Sequence, residues 1–164
     1  MTEFSLDSRL EADTILIGAL QLSRVILMND ARFPWVILVP RRDGLREIID
    51  LEPKDRATLY REIESVSEAM QRLFKPTKLN VAALGNQVAQ LHVHIIARFD
   101  HDAAWPKPVW GVGTRELYAQ DAAHTRVTAL SAHSGRTRIL RYRTKPSKPA
   151  PPCTCRPMRP RAGC

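Results

Sequence analysis

Hydrophobic and polar residues change period several times along this chain, and each change predicts an element. From Thr14 to Leu20 and from Ser23 to Met28 the residues are mostly β-branched or aliphatic, which predicts two strands. Asn29-Asp30-Ala31-Arg32-Phe33-Pro34 supplies turn chemistry after them. Trp35-Val36-Ile37-Leu38-Val39 is apolar at every position, the pattern of a strand buried on both faces. Pro40 ends that run, and Arg41 to Gly44 reads as a basic loop. Between Pro53 and Phe74 the period becomes helical. Leu59, Ile63, Val66, Met70 and Leu73 recur at spacings of four, three, four and three, which places them on one stripe. Pro53 suits a first helical turn and Pro76 blocks continuation beyond Phe74. Arg61, Glu62, Glu64, Glu68 and Arg72 make up the solvated opposite face. Ahead of the first strand, Leu6 to Ala12 predicts a short helix capped by Asp7 or Ser8.

Lys78 to Leu84 predicts a further strand, and Gly85-Asn86 a tight turn. The chain then alternates strictly through Gln90-Leu91-His92-Val93-His94-Ile95-Ile96 and stays strand-like to Phe99. In a strand, Gln90, His92 and His94 share one face, roughly 7 Å between neighbours, with Leu91, Val93 and Ile95 on the other. One face is built for burial and the other for chemistry. Strands, a long helix, then strands again, without regular βαβ alternation, predict an α+β domain. Its antiparallel sheet of about five strands packs on the long helix, with a short N-terminal helix besides. After Asp100 the pattern dissolves. Prolines exclude regular structure from Trp105 to Gly111, a short helix is expected near Glu116–Ala123, and no sustained period follows Thr125.

Composition changes this picture in one respect. The net charge of +8 suggests a polyanion-binding protein, but it is unevenly placed. Ten of the 25 Lys and Arg lie in residues 125–164 with no acid, and the other 15 face all 17 acids in residues 1–124. All three cysteines and six of the twelve prolines also fall in that last stretch. The expected organisation is a domain over residues 1–114 and a basic, largely disordered Pro/Arg-rich tail over 115–164. Any contact with nucleic acid would then run through the tail alone. A shifted reading frame would give the tail the same composition. Cys153-Thr154-Cys155 lacks both zinc spacing and a second pair. The N-terminus carries acids where an export signal has bases, and the longest apolar runs fall far short of the ~20 residues of a membrane helix. A cytoplasmic protein without membrane contact is expected.

The chemistry lies in the alternating strand. Histidine acts as nucleophile or acid/base near neutral pH, and two on one face beside a glycine loop suit phosphoryl transfer. The Gly85-Asn86-Gln87 loop can cradle a phosphate with amides and backbone N–H groups. A His-x-His pair also suits zinc, and two half-exposed, idle histidines fit the same spacing. His101, His124 and His133 acquire no role from their surroundings.

Gln90-Leu91-His92-Val93-His94-Ile95-Ile96 resembles the histidine triad (HIT) motif, His-φ-His-φ-His-φ-φ, with glutamine at the first histidine. Asn29-Asp30 before the aliphatic strand ending at Pro40, the long helix, Asn80 and Gly85-Asn86 follow in the family's order. The similarity runs from about Phe4 to Gly111. Its proline- and tryptophan-rich end resembles a bacterial branch of HIT-domain hydrolases that tends to carry glutamine at the first triad position. The resemblance implies a nucleotide hydrolase or nucleotidyl transferase, typically a homodimer, needing no metal or cofactor. His92 would attack the α-phosphate of a nucleoside phosphate derivative, such as a dinucleoside polyphosphate or nucleotide conjugate. The product would be a covalent nucleotidyl-histidine, later resolved by water. His94 would hydrogen-bond the phosphate, and Gln90 would complete the catalytic set. Asn86 and Gln87 would contact the phosphates, Asp30 or Asn29 the ribose, and Asn80 the ribose and phosphate. Glutamine donates and accepts but does not titrate, so the alternative is a catalytically weak nucleotide-binding or sensing module.

Overall fold

The computed structural model describes residues 4–132 and residue 139. In chain order these form α1 (Ser8–Asp13), β1 (Thr14–Ala19), β2 (Ser23–Met28), β3 (Trp35–Pro40), α2 (Pro53–Phe74), β4 (Lys78–Ala82), β5 (Val93–Arg98) and α3 (Gln120–Ala132), with a single 3-10 turn at Ile48–Asp50. The strands make one five-stranded sheet in the order β1-β2-β3-β5-β4. Every neighbouring pair is antiparallel. The α+β architecture expected from the period changes is the one observed.

Both faces of the sheet are covered. Val25, Leu27, Val36, Leu38, Ile95 and Ala97 meet Val66 and Met70 of α2 on one side. Leu91 and Val93 join Leu59 of the same helix. On the other side Ile26, Trp35, Ile37 and Ile96 pack with Leu10 of α1, Val88, Ala104 and Val109. The continuous apolar run of β3 is thus explained, since all six of its residues are buried between two layers.

Helix α2 begins at Pro53 and ends at Phe74, with Lys75 in the left-handed conformation that closes its last turn. Glu62 departs from the expected solvated face. It is 1% exposed, and its carboxylate accepts the backbone N–H groups of Leu22 (2.7 Å) and Ser23 (3.1 Å). One turn of helix beyond Leu59, it lies at the margin of the buried stripe, where the β1–β2 turn brings two donors that need an acceptor. Helix α3 revises the other boundary. It extends well past the short helix expected near Glu116–Ala123 and packs on β1 and α2, so the folded unit does not stop at residue 114. The rest of the expected tail lies outside the described residues, Ile139 excepted. No helix of the described residues is long and apolar enough to cross a membrane.

Candidate functional site

Strand β5 sits between β3 and β4, with Ile37 opposite His94 and Trp35 opposite Ile96. Its ladder starts at Val93, three residues later than the alternation predicts. Residues 90–92 lie outside the ladder, with the Leu91 N–H donating to the Leu45 carbonyl at 2.9 Å. Leu91, Val93 and Ile95 face α2 as expected. His92 and His94 face the opposite layer, with ring centroids 4.8 Å apart and planes at 81°.

Each imidazole has its Nδ1 committed to a partner within the protein, and the two commitments differ in kind. His92 Nδ1 lies 2.7 Å from the Gln90 carbonyl. A carbonyl only accepts, so Nδ1 carries a proton, and in the neutral ring this leaves the lone pair on Nε2. His94 Nδ1 lies 2.9 Å from Trp35 Nε1. An indole only donates, so here Nδ1 is the acceptor and Nε2 carries the hydrogen. Burial, with the neighbouring His92 adding to it, pushes His94 down to about 3, so it stays neutral at physiological pH. One histidine presents a lone pair and its neighbour a neutral N–H.

Both line a cavity of about 710 Å³. Its walls come from α1 (Arg9, Leu10, Asp13), the strand ends (Met28, Trp35), residues 84–88, and Pro108, Trp110 and Gly111. Gly85, at φ +76°, takes the left-handed turn that carries the chain into this wall. Asn86 and Gln87 follow it and line the cavity. Trp110 and Trp35 stand edge-on to the His94 ring at 5.3 and 5.4 Å. A mainly apolar enclosure with few polar groups is the usual form of a small-molecule site.

Of the candidate site residues, His92, His94, Asn86 and Gln87 are brought together here. Four others do not line the cavity. The Gln90 amide turns to the N-terminal segment, bonding Ser5 and Asp7. Asp30 is buried in a two-pronged pair with Arg32 (2.9 and 2.7 Å), and Arg32 also donates to the Val112 carbonyl. Burial pulls the Asp30 carboxyl upward, but the Arg32 bonds outweigh it and leave the group below its ordinary value. Asn29 accepts the Tyr118 N–H at 3.0 Å. Asn80 accepts from Arg98, which is 1% exposed and also grips Asp102 and the Lys107 carbonyl. Burial opposes ionisation of Asp102, yet Arg98 and two backbone N–H groups hold it at about 2. These residues fasten the chain between Phe99 and Tyr118 to the sheet, and with it Pro108 and Trp110. Arg9, Leu10, Met28, Trp35 and Trp110 are cavity residues without individual motif signals; only tertiary pairing gathers them. His101 bonds Asp100 in an exposed loop, and no cluster of three or more potential metal-ligating side chains occurs among the described residues.

An antiparallel five-stranded sheet carrying a His-x-His pair that lines such a cavity defines a domain of the histidine triad type. The HIT domain model matches residues 9–101, and the chain belongs to that family. It is similar to the solved histidine triad protein of Bradyrhizobium japonicum, with 50% identity over 80% of this chain and 98% of that one, at a TM-score of 0.79. Similar histidine triad proteins come from Sinorhizobium meliloti (44% identity, 79% and 96% covered, TM-score 0.78) and Marinobacter aquaeolei (45%, 80% and 96%, 0.78). No curated protein matches the chain.

Proposed function

We propose that this protein hydrolyses or transfers the nucleotidyl group of a nucleoside phosphate derivative, with His92 as nucleophile. The observation that carries the reading is the opposed bonding of the two imidazoles: Nδ1 faces an acceptor in His92 and a donor in His94, which in the neutral rings sets a lone pair on His92 Nε2 beside an N–H on His94 Nε2. Membership of a family of nucleotide-binding and nucleotide-hydrolysing proteins supports it. In the first displacement a bond forms between His92 Nε2 and the α-phosphorus, and the bond to the leaving group breaks. In the second, water adds to phosphorus and the N–P bond breaks. Two modest barriers replace a single high one. The His94 N–H stabilises charge developing on a phosphate oxygen, without a proton of its own to lose in the working pH range. Asn86 and Gln87 bind the phosphate side of the substrate. The chemistry uses no metal.

The partner is a second copy of the chain. Strand β4 ends the sheet, and Val81 on it is 47% exposed, leaving a strand edge open to pairing. Size-exclusion chromatography with light scattering tests this, and a monomer at micromolar concentration refutes it. The enzymatic reading is tested on a panel of dinucleoside polyphosphates, nucleoside phosphoramidates and adenylated amino acids. Mass spectrometry after an alkaline denaturing quench, which preserves the N–P bond, should find a nucleotidyl adduct on His92. Undiminished activity of His92→Ala would refute the mechanism. Nucleotide binding with no turnover of any panel member would assign the protein to sensing instead.

A further inference from the structure

Gln90 occupies the first triad position, yet its side chain faces away from the cavity. Oε1 accepts the Asp7 N–H at 2.9 Å, and Nε2 donates to the Ser5 carbonyl at 2.8 Å. Both partners lie just before α1, more than eighty residues earlier in the chain. A primary amide carries its donor and acceptor on one carbon and so serves two adjacent backbone groups at once. The two nitrogens of an imidazole point apart and meet only one of them. Asp7 is itself the cap of α1, its carboxylate accepting the Arg9 N–H at 2.9 Å. Phe4, Leu6 and Leu10 pack into the same layer as Trp35 and Val88. The amide therefore grips the residue from which α1 starts, and α1 is one wall of the cavity.

That wall carries charge. Arg9 is the only Lys or Arg lining the cavity among the described residues. Its guanidinium meets the Asp7 carboxylate only at 3.4 Å, and its side chain is 60% exposed. The acid on the same wall, Asp13, is matched by Arg115 at 2.7 Å. Arg9 thus shares its Nε–H with Asp7 and, being largely exposed, keeps its terminal N–H groups for an anion that enters.

We infer that Gln90 is a positioning residue: its amide pins Ser5 and Asp7, seats α1 against the cavity, and so presents Arg9 to an anionic ligand there. Only the ligand's identity rests on the nucleotide reading above; the pinning of α1 does not. The test compares native protein, Gln90→Ala, Gln90→Glu, Arg9→Ala and the double variant Gln90→Ala/Arg9→Ala. It uses backbone amide exchange and calorimetric binding of adenosine 5′-monophosphate. In Gln90→Ala, exchange over residues 5–13 should rise about tenfold while the sheet is unchanged, the size expected of one or two net hydrogen bonds. Gln90→Glu, which keeps the acceptor and loses the donor, should rise by less, and it serves if the alanine variant does not fold. Binding should weaken about five- to tenfold in Gln90→Ala and in Arg9→Ala, and no further in the double variant. Unchanged exchange over residues 5–13 overturns the pinning, and additive losses overturn the link to Arg9. If native protein does not bind the nucleotide, the nucleotide reading fails and takes the Arg9 step with it, while exchange still decides the role of Gln90.

Discussion

Replacing Trp35 by phenylalanine removes the donor that sets the hydrogen position on His94 while keeping an aromatic ring in the layer. The bond is 2.9 Å long, with Trp35 6% and His94 4% exposed, so no solvent replaces it easily. A neutral hydrogen bond contributes about 1 kcal/mol net, and a buried acceptor left without its partner costs about 1–3 kcal/mol. Trp35→Phe should therefore unfold at lower urea concentration, by about 1–3 kcal/mol. The lost bond favoured neutral imidazole, so its removal raises the His94 pKa by under about one unit, at 1.36 kcal/mol per unit. From about 3, that leaves His94 neutral at pH 7. The change at neutral pH is then in tautomer rather than charge. Nitrogen-15 correlation spectra should show the Nδ1–H form appearing beside the Nε2–H form. The kcat/KM on the best panel substrate should fall about two- to tenfold, as the donating fraction falls and its remaining population is less favoured. Trp110→Phe is the control, because that ring meets His94 edge-on at 5.3 Å and should leave its tautomer alone. A Trp35→Phe protein with His94 wholly in the Nε2–H form and stability unchanged within about 0.5 kcal/mol would refute the reasoning.

His92→Ala should lose at least about a thousandfold in kcat while keeping its fold, as removal of a nucleophile does; steady-state kinetics beside circular dichroism checks both. Because the folded protein keeps His94 neutral while the unfolded chain protonates near 6.5, the unfolded state binds the extra proton between about pH 6.5 and 3. Stability therefore falls as pH is lowered through that window, by up to about 1.4 kcal/mol per unit from this group. Urea titrations from pH 7 to 4 should show that slope reduced by about one proton in His94→Gln. Arg98→Met leaves Asp102 buried without its partner and should destabilise by about 3–5 kcal/mol at neutral pH, less at low pH once that carboxyl protonates. Thermal unfolding at pH 7 and pH 4 measures the difference.

The elements that could be read from the sequence are those whose signal is local. The bounds of α2 follow from Pro53, Pro76 and a stripe of apolar residues, and β3 follows from a run with no polar position. The pairing of His92 with His94 follows from the strand period alone. What escaped depended on partners distant in sequence. Glu62 looks like any helix-surface acid until the β1–β2 turn brings two N–H groups to it. The late start of β5 reflects the Leu45 carbonyl, which takes the Leu91 N–H out of the ladder. Helix α3 has almost no apolar stripe of its own, so only its packing on β1 and α2 reveals it.

The polar residues that escaped share a physical reason. Asn29, Asp30 and Asn80 were expected beside a ribose or phosphate, yet each bonds the segment between Phe99 and Tyr118, directly or through Arg32 or Arg98. That segment has no ladder of its own, and a proline-rich chain supplies few backbone donors to hold it. Side chains must do so, and buried guanidinium–carboxylate pairs with further backbone acceptors are rigid enough to fix a tryptophan over the histidines. Gln90 does for the opposite wall what Arg32 and Arg98 do for this one, by bonding backbone outside the cavity. The polar groups left facing inward are then few: His92, His94, Asn86, Gln87 and the α1 pair of Arg9 and Asp13. A site assembled this way gains precision from residues that never touch its ligand. Exchanging the first triad position for an amide therefore need not remove catalytic capacity, because at that position the side chain works on the wall rather than on the phosphate.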